Sequence, residues 1–158
     1  MSYVITKAFR FEAAHHLNAM PEGHQCAQTH GHSYTASITL EADSLDGRGM
    51  VTDFGELAPV GDYIRRVLDH SYLNTIRSSE NPGYDRGRDV ALEAAQGSEE
   101  LVLTQPTSEL LAEHLFRVSQ ELLPADVAEL VTQVKVSETA TSHAIFRPAG
   151  RVSTAQVA

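Results

Sequence analysis

Apolar and polar residues alternate from the start of the chain: Tyr3, Ile5, Phe9 and Phe11 fall on one side, Thr6, Arg10 and Glu12 on the other. A period of two over this length predicts a strand. Residues 33–42 alternate more cleanly, with Tyr34, Ala36, Ile38, Leu40 and Ala42 sharing a face and Thr35, Ser37, Thr39 and Glu41 pointing away. Asp46-Gly47-Arg48-Gly49 is a turn signal, so a hairpin return through Met50, Val51 and Thr52 is expected. The pattern then changes period. Asp53 can cap a helix start and Glu56 can reach back to it, but Pro59 sits too deep for a regular helix beginning there. An irregular turn is expected first, and a helix from about Ala58, with Val60, Ile64, Val67 and Leu68 as its apolar stripe. A second helix is expected after Pro106-Thr107, burying Leu110, Leu111, Leu115, Val118 and Leu122 and ending at Pro124. Residues 130–136 and 144–147 read as two closing strands.

The order strand, strand, helix, helix, strand, strand predicts an α+β domain, with helices on one face of an antiparallel sheet. We expect one domain over residues 1–148. Residues 77–105 are expected to be an inserted loop with one helical turn near 90–95, and 149–158 a disordered tail.

Composition narrows the function. The net charge of −9 argues against nucleic acid and against a membrane surface, both of which favour a basic face. No stretch approaches the ~18 apolar residues of a membrane span, and no secretory signal is visible. The single cysteine, Cys26, can form no internal disulfide, which fits a free thiol in the cytoplasm. Of eight histidines, those at 15, 16, 24, 30 and 32 crowd into one short stretch.

That crowding points to a metal. His30 and His32 are two apart at the head of the second strand, so their side chains project to the same side. His15 ends the first strand, where an antiparallel neighbour would bring it beside them; His16 and His24 compete as third ligand. Three neutral imidazoles and an open position make a catalytic zinc site, able to acidify a bound hydroxyl and polarise a carbonyl. Cys26 lies four residues before His30, and a dication nearby would favour its thiolate as a base. Asp69-His70, after the first helix, can orient each other or relay a proton. Glu138, at the end of a closing strand, can grip a guanidine-like edge with two hydrogen bonds. Glu109 reads as a first-turn helix residue favoured by the dipole.

Phe11-Glu12-Ala13-Ala14-His15, Glu22-Gly23-His24-Gln25-Cys26 and His30-Gly31-His32-Ser33 closely resemble the 6-carboxytetrahydropterin synthases, bacterial relatives of 6-pyruvoyltetrahydropterin synthase. The likeness continues through Asp53-Phe54-Gly55-Glu56-Leu57, Leu68-Asp69-His70-Ser71-Tyr72-Leu73-Asn74, Pro106-Thr107-Ser108-Glu109 and Glu138-Thr139-Ala140-Thr141, in order. It implies a tunnelling fold (T-fold): a four-stranded antiparallel sheet carrying two helices, joined into barrels as a hexamer of two trimers with sites at subunit interfaces. It implies His15, His30 and His32 as zinc ligands and Cys26 as proton acceptor. Asp69 and His70 would be a relay, and Glu138 the pterin anchor with a relay role of its own. Thr139 and Thr107 would join Glu138 in binding substrate. The implied reaction converts 7,8-dihydroneopterin triphosphate to 6-carboxy-5,6,7,8-tetrahydropterin, acetaldehyde and triphosphate, on the route to queuosine and other 7-deazapurines. The chain departs from the compact bacterial pattern in residues 77–105, where Arg77, Arg86 and Arg88 are candidate triphosphate contacts.

Overall fold

Backbone pairing carries both leading strands past the point where their alternation fades. In the computed structural model, which describes residues 1–76, 103 and 105–149, β1 spans Tyr3–His15 and β2 spans His30–Ala42. Each is three residues longer at its site end than the alternation predicts, because a ladder of N–H and C=O groups is indifferent to the polarity of the side chains it carries. The two strands are antiparallel in unbroken register, from Tyr3 opposite Ala42 to His15 opposite His30.

Two further antiparallel strands, β4 (Val131–Ser137) and β5 (His143–Phe146), complete the expected four. A fifth was not foreseen. β3 is only Ser71–Tyr72 and pairs parallel to β1 at Ala13 and Ala14, giving the order β3-β1-β2-β4-β5. The expected hairpin return through Met50, Val51 and Thr52 does not form. The turn itself does: the Asp46 carboxylate accepts the N–H groups of Arg48 (2.8 Å) and Met50 (3.0 Å). Both edges of β2 are already taken, by β1 and β4, so a returning strand has no place to pair.

Asp53 caps a short 3-10 turn, Phe54–Leu57, through Gly55 N–H at 2.7 Å, and α1 (Ala58–Tyr63) follows with Pro59 in its first turn, as the sequence requires. Gly61 lets α1 approach the sheet: a Cβ there would lie 2.6 Å from the Phe9 ring. α1 then widens into a π-helical turn, Ile64–Leu68, closed by Asp69 N–H on the Ile64 carbonyl at 2.8 Å. α2 spans Ser108–Leu122 and the short α3 spans Ala125–Ala128.

The inner face of β2 is buried at Tyr34, Ala36, Ile38 and Leu40, against Leu57, Val60, Leu68, Leu111 and Leu115 of the helical layer. Each fully buried leucine contributes about 2 kcal/mol. Leu110 departs from expectation; it is 39% exposed, beside the stripe that Leu111, Leu115 and Val118 form. Ser37 and Thr39, expected to face away, are buried too, because β2 is flanked on both sides; Thr39 Oγ1 meets Thr6 Oγ1 at 3.0 Å.

Between the helices, the Tyr63 hydroxyl and His114 Nε2 share a hydrogen bond at 2.6 Å. Burial, helped by the Arg117 charge, pushes the His114 imidazole from its ordinary 6.5 down to about 4. Folding therefore favours the neutral ring. The corresponding stability is complete above about pH 6.5 and is lost as the pH falls toward 4, by about 3 kcal/mol in all. Urea unfolding at pH 7 and pH 4 checks this: the unmodified protein should lose about 3 kcal/mol more than His114→Gln, whose amide keeps an acceptor but does not titrate.

Candidate metal and proton-transfer centre

The β1–β2 register sets His15 directly across from His30, and the two-residue period adds His32 on the same side. One nitrogen from each ring lies within 4.8 Å of the others. His15 is 1% exposed, and His30 and His32 are half-buried.

The hydrogen bonds behind the rings fix what they present. His15 Nδ1 donates to the Pro106 carbonyl at 2.7 Å, and His30 Nδ1 donates to the Gln28 carbonyl at 2.7 Å. Both Nε2 atoms then carry lone pairs, yet they face each other at 3.1 Å. Two lone pairs at that distance repel unless a cation or a proton lies between them. Two ligands of a tetrahedral zinc ion sit about 3.3 Å apart, so the arrangement fits the ion. Carbonyls behind the rings also hold the tautomer that a metal needs. Burial lowers the His15 pKa; the Pro106 bond opposes that, His30 and His32 reinforce it, and the Glu138 charge again opposes it. The balance is a neutral imidazole, the form that binds metal.

Tyr34 stands behind the triad, its hydroxyl 3.2 Å from His15 Nδ1. Burial first, and the Glu138 charge second, push the phenol up, so it remains protonated at neutral pH. Glu138 follows β4, half-buried, with its charge acting on both Tyr34 and His15.

Asp69 and His70 emerge from the π-helical turn. Asp69 Oδ1 accepts from Glu12 N–H at 2.8 Å and contacts His70 Nδ1 at 2.9 Å. The His70 backbone is left-handed (φ 57°) and its N–H bonds to the Glu12 carbonyl. A non-glycine residue there is strained, and such strain gathers at functional sites. The exposed His70 ring shares a depression of about 400 Å³ with His32, Glu12 and Ser33, so His70 and one triad histidine open onto one space. Cys26 is half-buried in the 3-10 turn Gln25–Ala27, its N–H bonded to His24 Nδ1 at 3.0 Å.

Comparison with known proteins decides the family. The model of the 6-pyruvoyl tetrahydropterin synthase family matches residues 4–149. The chain belongs to the 6-pyruvoyl tetrahydropterin synthase family. It is 30% identical to the 6-carboxy-5,6,7,8-tetrahydropterin synthase of Aquifex aeolicus, over 93% of this chain and 99% of that protein. It is 28% identical to the Bacillus subtilis protein of the same name, over 93% and 86%. An uncharacterised Wolinella succinogenes protein superposes with a TM-score of 0.71 at 26% identity, over 93% of this chain and 98% of that one. The Caenorhabditis elegans 6-pyruvoyl tetrahydropterin synthase superposes at 0.69 and 17% identity, over 94% and 97%, a likeness of fold.

Within this family's fold, the histidines that competed for the third ligand position have other partners. His16 stacks on Tyr72 and its Nδ1 bonds the Tyr72 hydroxyl, while His24 caps the turn that carries Cys26. Thr107 caps α2 through Leu110 N–H at 3.3 Å, and Thr139 Oγ1 accepts from Ser142 N–H at 3.1 Å. Glu109 lies exposed in the first turn of α2, as expected. Arg77, Arg86 and Arg88, with the helical turn near 90–95, fall outside the described residues, as does the tail beyond 149. The sequence reading missed Tyr34 and Pro106 behind the triad, and Asn74 and Tyr72 beside it. Tyr34 carried a signal, since it shares the strand face of His30 and His32; Pro106 acts through its backbone and carried none. Among the described residues, no helix is long and apolar enough to cross a membrane.

Proposed function

We propose that this protein is a zinc-dependent lyase, a 6-carboxy-5,6,7,8-tetrahydropterin synthase. It would convert 7,8-dihydroneopterin triphosphate to 6-carboxy-5,6,7,8-tetrahydropterin, acetaldehyde and triphosphate, for queuosine or another 7-deazapurine. The observation that carries the reading is the pair of imidazole lone pairs at 3.1 Å inside a three-histidine cluster, beside the space that His70 lines. The relatives from Aquifex aeolicus and Bacillus subtilis, which bear this name and align along most of the chain, support it.

His15, His30 and His32 would hold the zinc, which when bound supplies Lewis acidity toward the substrate's side chain. The chain's own residues do the rest. Cys26 as thiolate accepts a proton from that side chain, and loss of triphosphate follows from the resulting rearrangement. Asp69 fixes one nitrogen of His70 and leaves the other to pass a proton. Glu138 takes two hydrogen bonds from the guanidine-like edge of the pterin and adds to the relay. The Thr107 and Thr139 hydroxyl oxygens already accept backbone N–H groups, so each keeps its proton to donate to the substrate. Assembly as a homohexamer with interface sites completes the proposal. The edge of β1 away from β2, along residues 3–12, and the edge of β5 away from β4 have no strand partner among the described residues, which suits joining edge to edge.

The test is incubation of zinc-loaded protein with 7,8-dihydroneopterin triphosphate, assaying acetaldehyde alongside the pterin. Stoichiometric acetaldehyde and 6-carboxytetrahydropterin are expected. A pyruvoyl pterin without acetaldehyde would move the protein to the sister activity, and no turnover with zinc bound would make it a binding protein.

A further inference from the structure

β3 pairs with β1 for only two residues, and then the chain folds into a 3-10 turn, Leu73–Thr75. The backbone of that turn cannot continue the ladder, so His16, the residue after β1, needs other partners. Asn74 provides both. Its Oδ1 accepts His16 N–H at 3.0 Å, and its Nδ2 donates to the His16 carbonyl at 2.9 Å. A carboxamide offers a donor and an acceptor in one plane, as a peptide unit does. The buried Asn74 side chain thus stands in for the next rung of the sheet.

One residue on, Leu17 N–H donates to the Cys26 carbonyl at 2.8 Å, closing the loop 17–26. From the Asn74 amide to the residue bearing the thiol is therefore one residue and one hydrogen bond. The same segment carries Asp69 and His70, five and four residues before Asn74. Proton transfer needs donor and acceptor within about 3 Å, which a loop tethered at its two stems alone would hold poorly.

We propose that Asn74 is a positioning residue for the reaction: by extending the sheet to His16 it sets the loop that places the Cys26 thiol relative to Asp69 and His70. The proposal rests on the reading of Cys26 as the proton acceptor.

The test uses the zinc-loaded full chain and Asn74→Ala. The expected result is a kcat lower by between about 10- and 100-fold, with KM within about threefold. Zinc content should stay unchanged, because the ligands sit on paired strands. Cys26 is the sole cysteine, so iodoacetamide reports on the loop directly, and the thiol should be alkylated at least about threefold faster in the variant. Asn74→Asp keeps the acceptor for His16 N–H and should fall between. An unchanged kcat, an unchanged alkylation rate, or zinc lost in proportion to activity would overturn the proposal. Should Asn74→Ala not fold, hydrogen exchange on the unmodified protein decides: His16 and Leu17 amides are expected to exchange as slowly as Ala14, and fast exchange would overturn it. Cys26→Ala separates the two readings. Full turnover in that variant removes the thiol's role, while the alkylation and exchange results still report whether Asn74 sets the loop.

Discussion

Cys26→Ala is expected to lower kcat by about 1,000-fold while zinc content stays at the level of the unmodified protein. The thiol is the one soft nucleophilic group in the chain and lies on a turn that ends just before the first β2 histidine. None of the hydrogen bonds shaping that turn uses the sulfur: Cys26 N–H bonds His24 and the Cys26 carbonyl accepts from Leu17. Alanine therefore removes the proposed proton acceptor and leaves the loop, the triad and the space beside His70 in place. The measurement is steady-state turnover with metal analysis of the same sample. Retention of more than about a tenth of the activity would assign the proton to another group, with His70 next in line.

His15→Ala is expected to be metal-free as purified and to have no turnover above background. It should also be less stable than the metal-free unmodified protein by about 3 kcal/mol. Two costs combine. The Pro106 carbonyl loses its buried donor, and the space left beside Tyr34 lies in a region that is 1% exposed. His32→Ala provides the contrast. It removes a proposed ligand too, but its ring is half-buried, so it should lose zinc with a smaller loss of stability. Metal content and urea unfolding of both variants, each against metal-free protein, separate binding from packing. Equal zinc in His15→Ala and the unmodified protein would remove His15 from the ligand set.

Zinc loading and the acid stability of His114 make these experiments interact. Activity and metal measurements belong above pH 6.5, where the stability contributed by the neutral His114 ring is complete.

Much of this architecture was legible because side chains and backbone agreed. Tyr34 to Leu40 alternate with a period of two, and they became the inner face of the central strand. Pro59 delayed the helix to Ala58, because it has no N–H and a fixed φ. His30 and His32 had to share a side once residue 33 opened a strand. The failures share a cause as well. Met50, Val51 and Thr52 have the composition of a strand, but whether they pair depends on a vacant edge of β2, and β4, from the far end of the chain, had taken it. Leu110 and Leu111 are equally apolar; the angle at which α2 meets the sheet exposed one and buried the other.

The sequence by itself determined the four antiparallel strands, the starts of α1 and α2, the two-histidine motif and, through motifs spread along the whole chain, the family. Only the tertiary structure decided which residues complete the centre by touching it. Spacing alone left His16 and His24 as competitors of His15 for the third ligand position, and the family resemblance favoured His15. The β1–β2 register chose His15, because strand pairing fixes the opposite partner to a single residue, and sent His16 to Tyr72 and Asn74. Pro106 and Asn74 lie 91 and 58 residues from the histidines they hold. Pro106 acts through its carbonyl and Asn74 through an amide that imitates a peptide unit. Neither depends on a local pattern of polarity, so only the folded chain brings them into view.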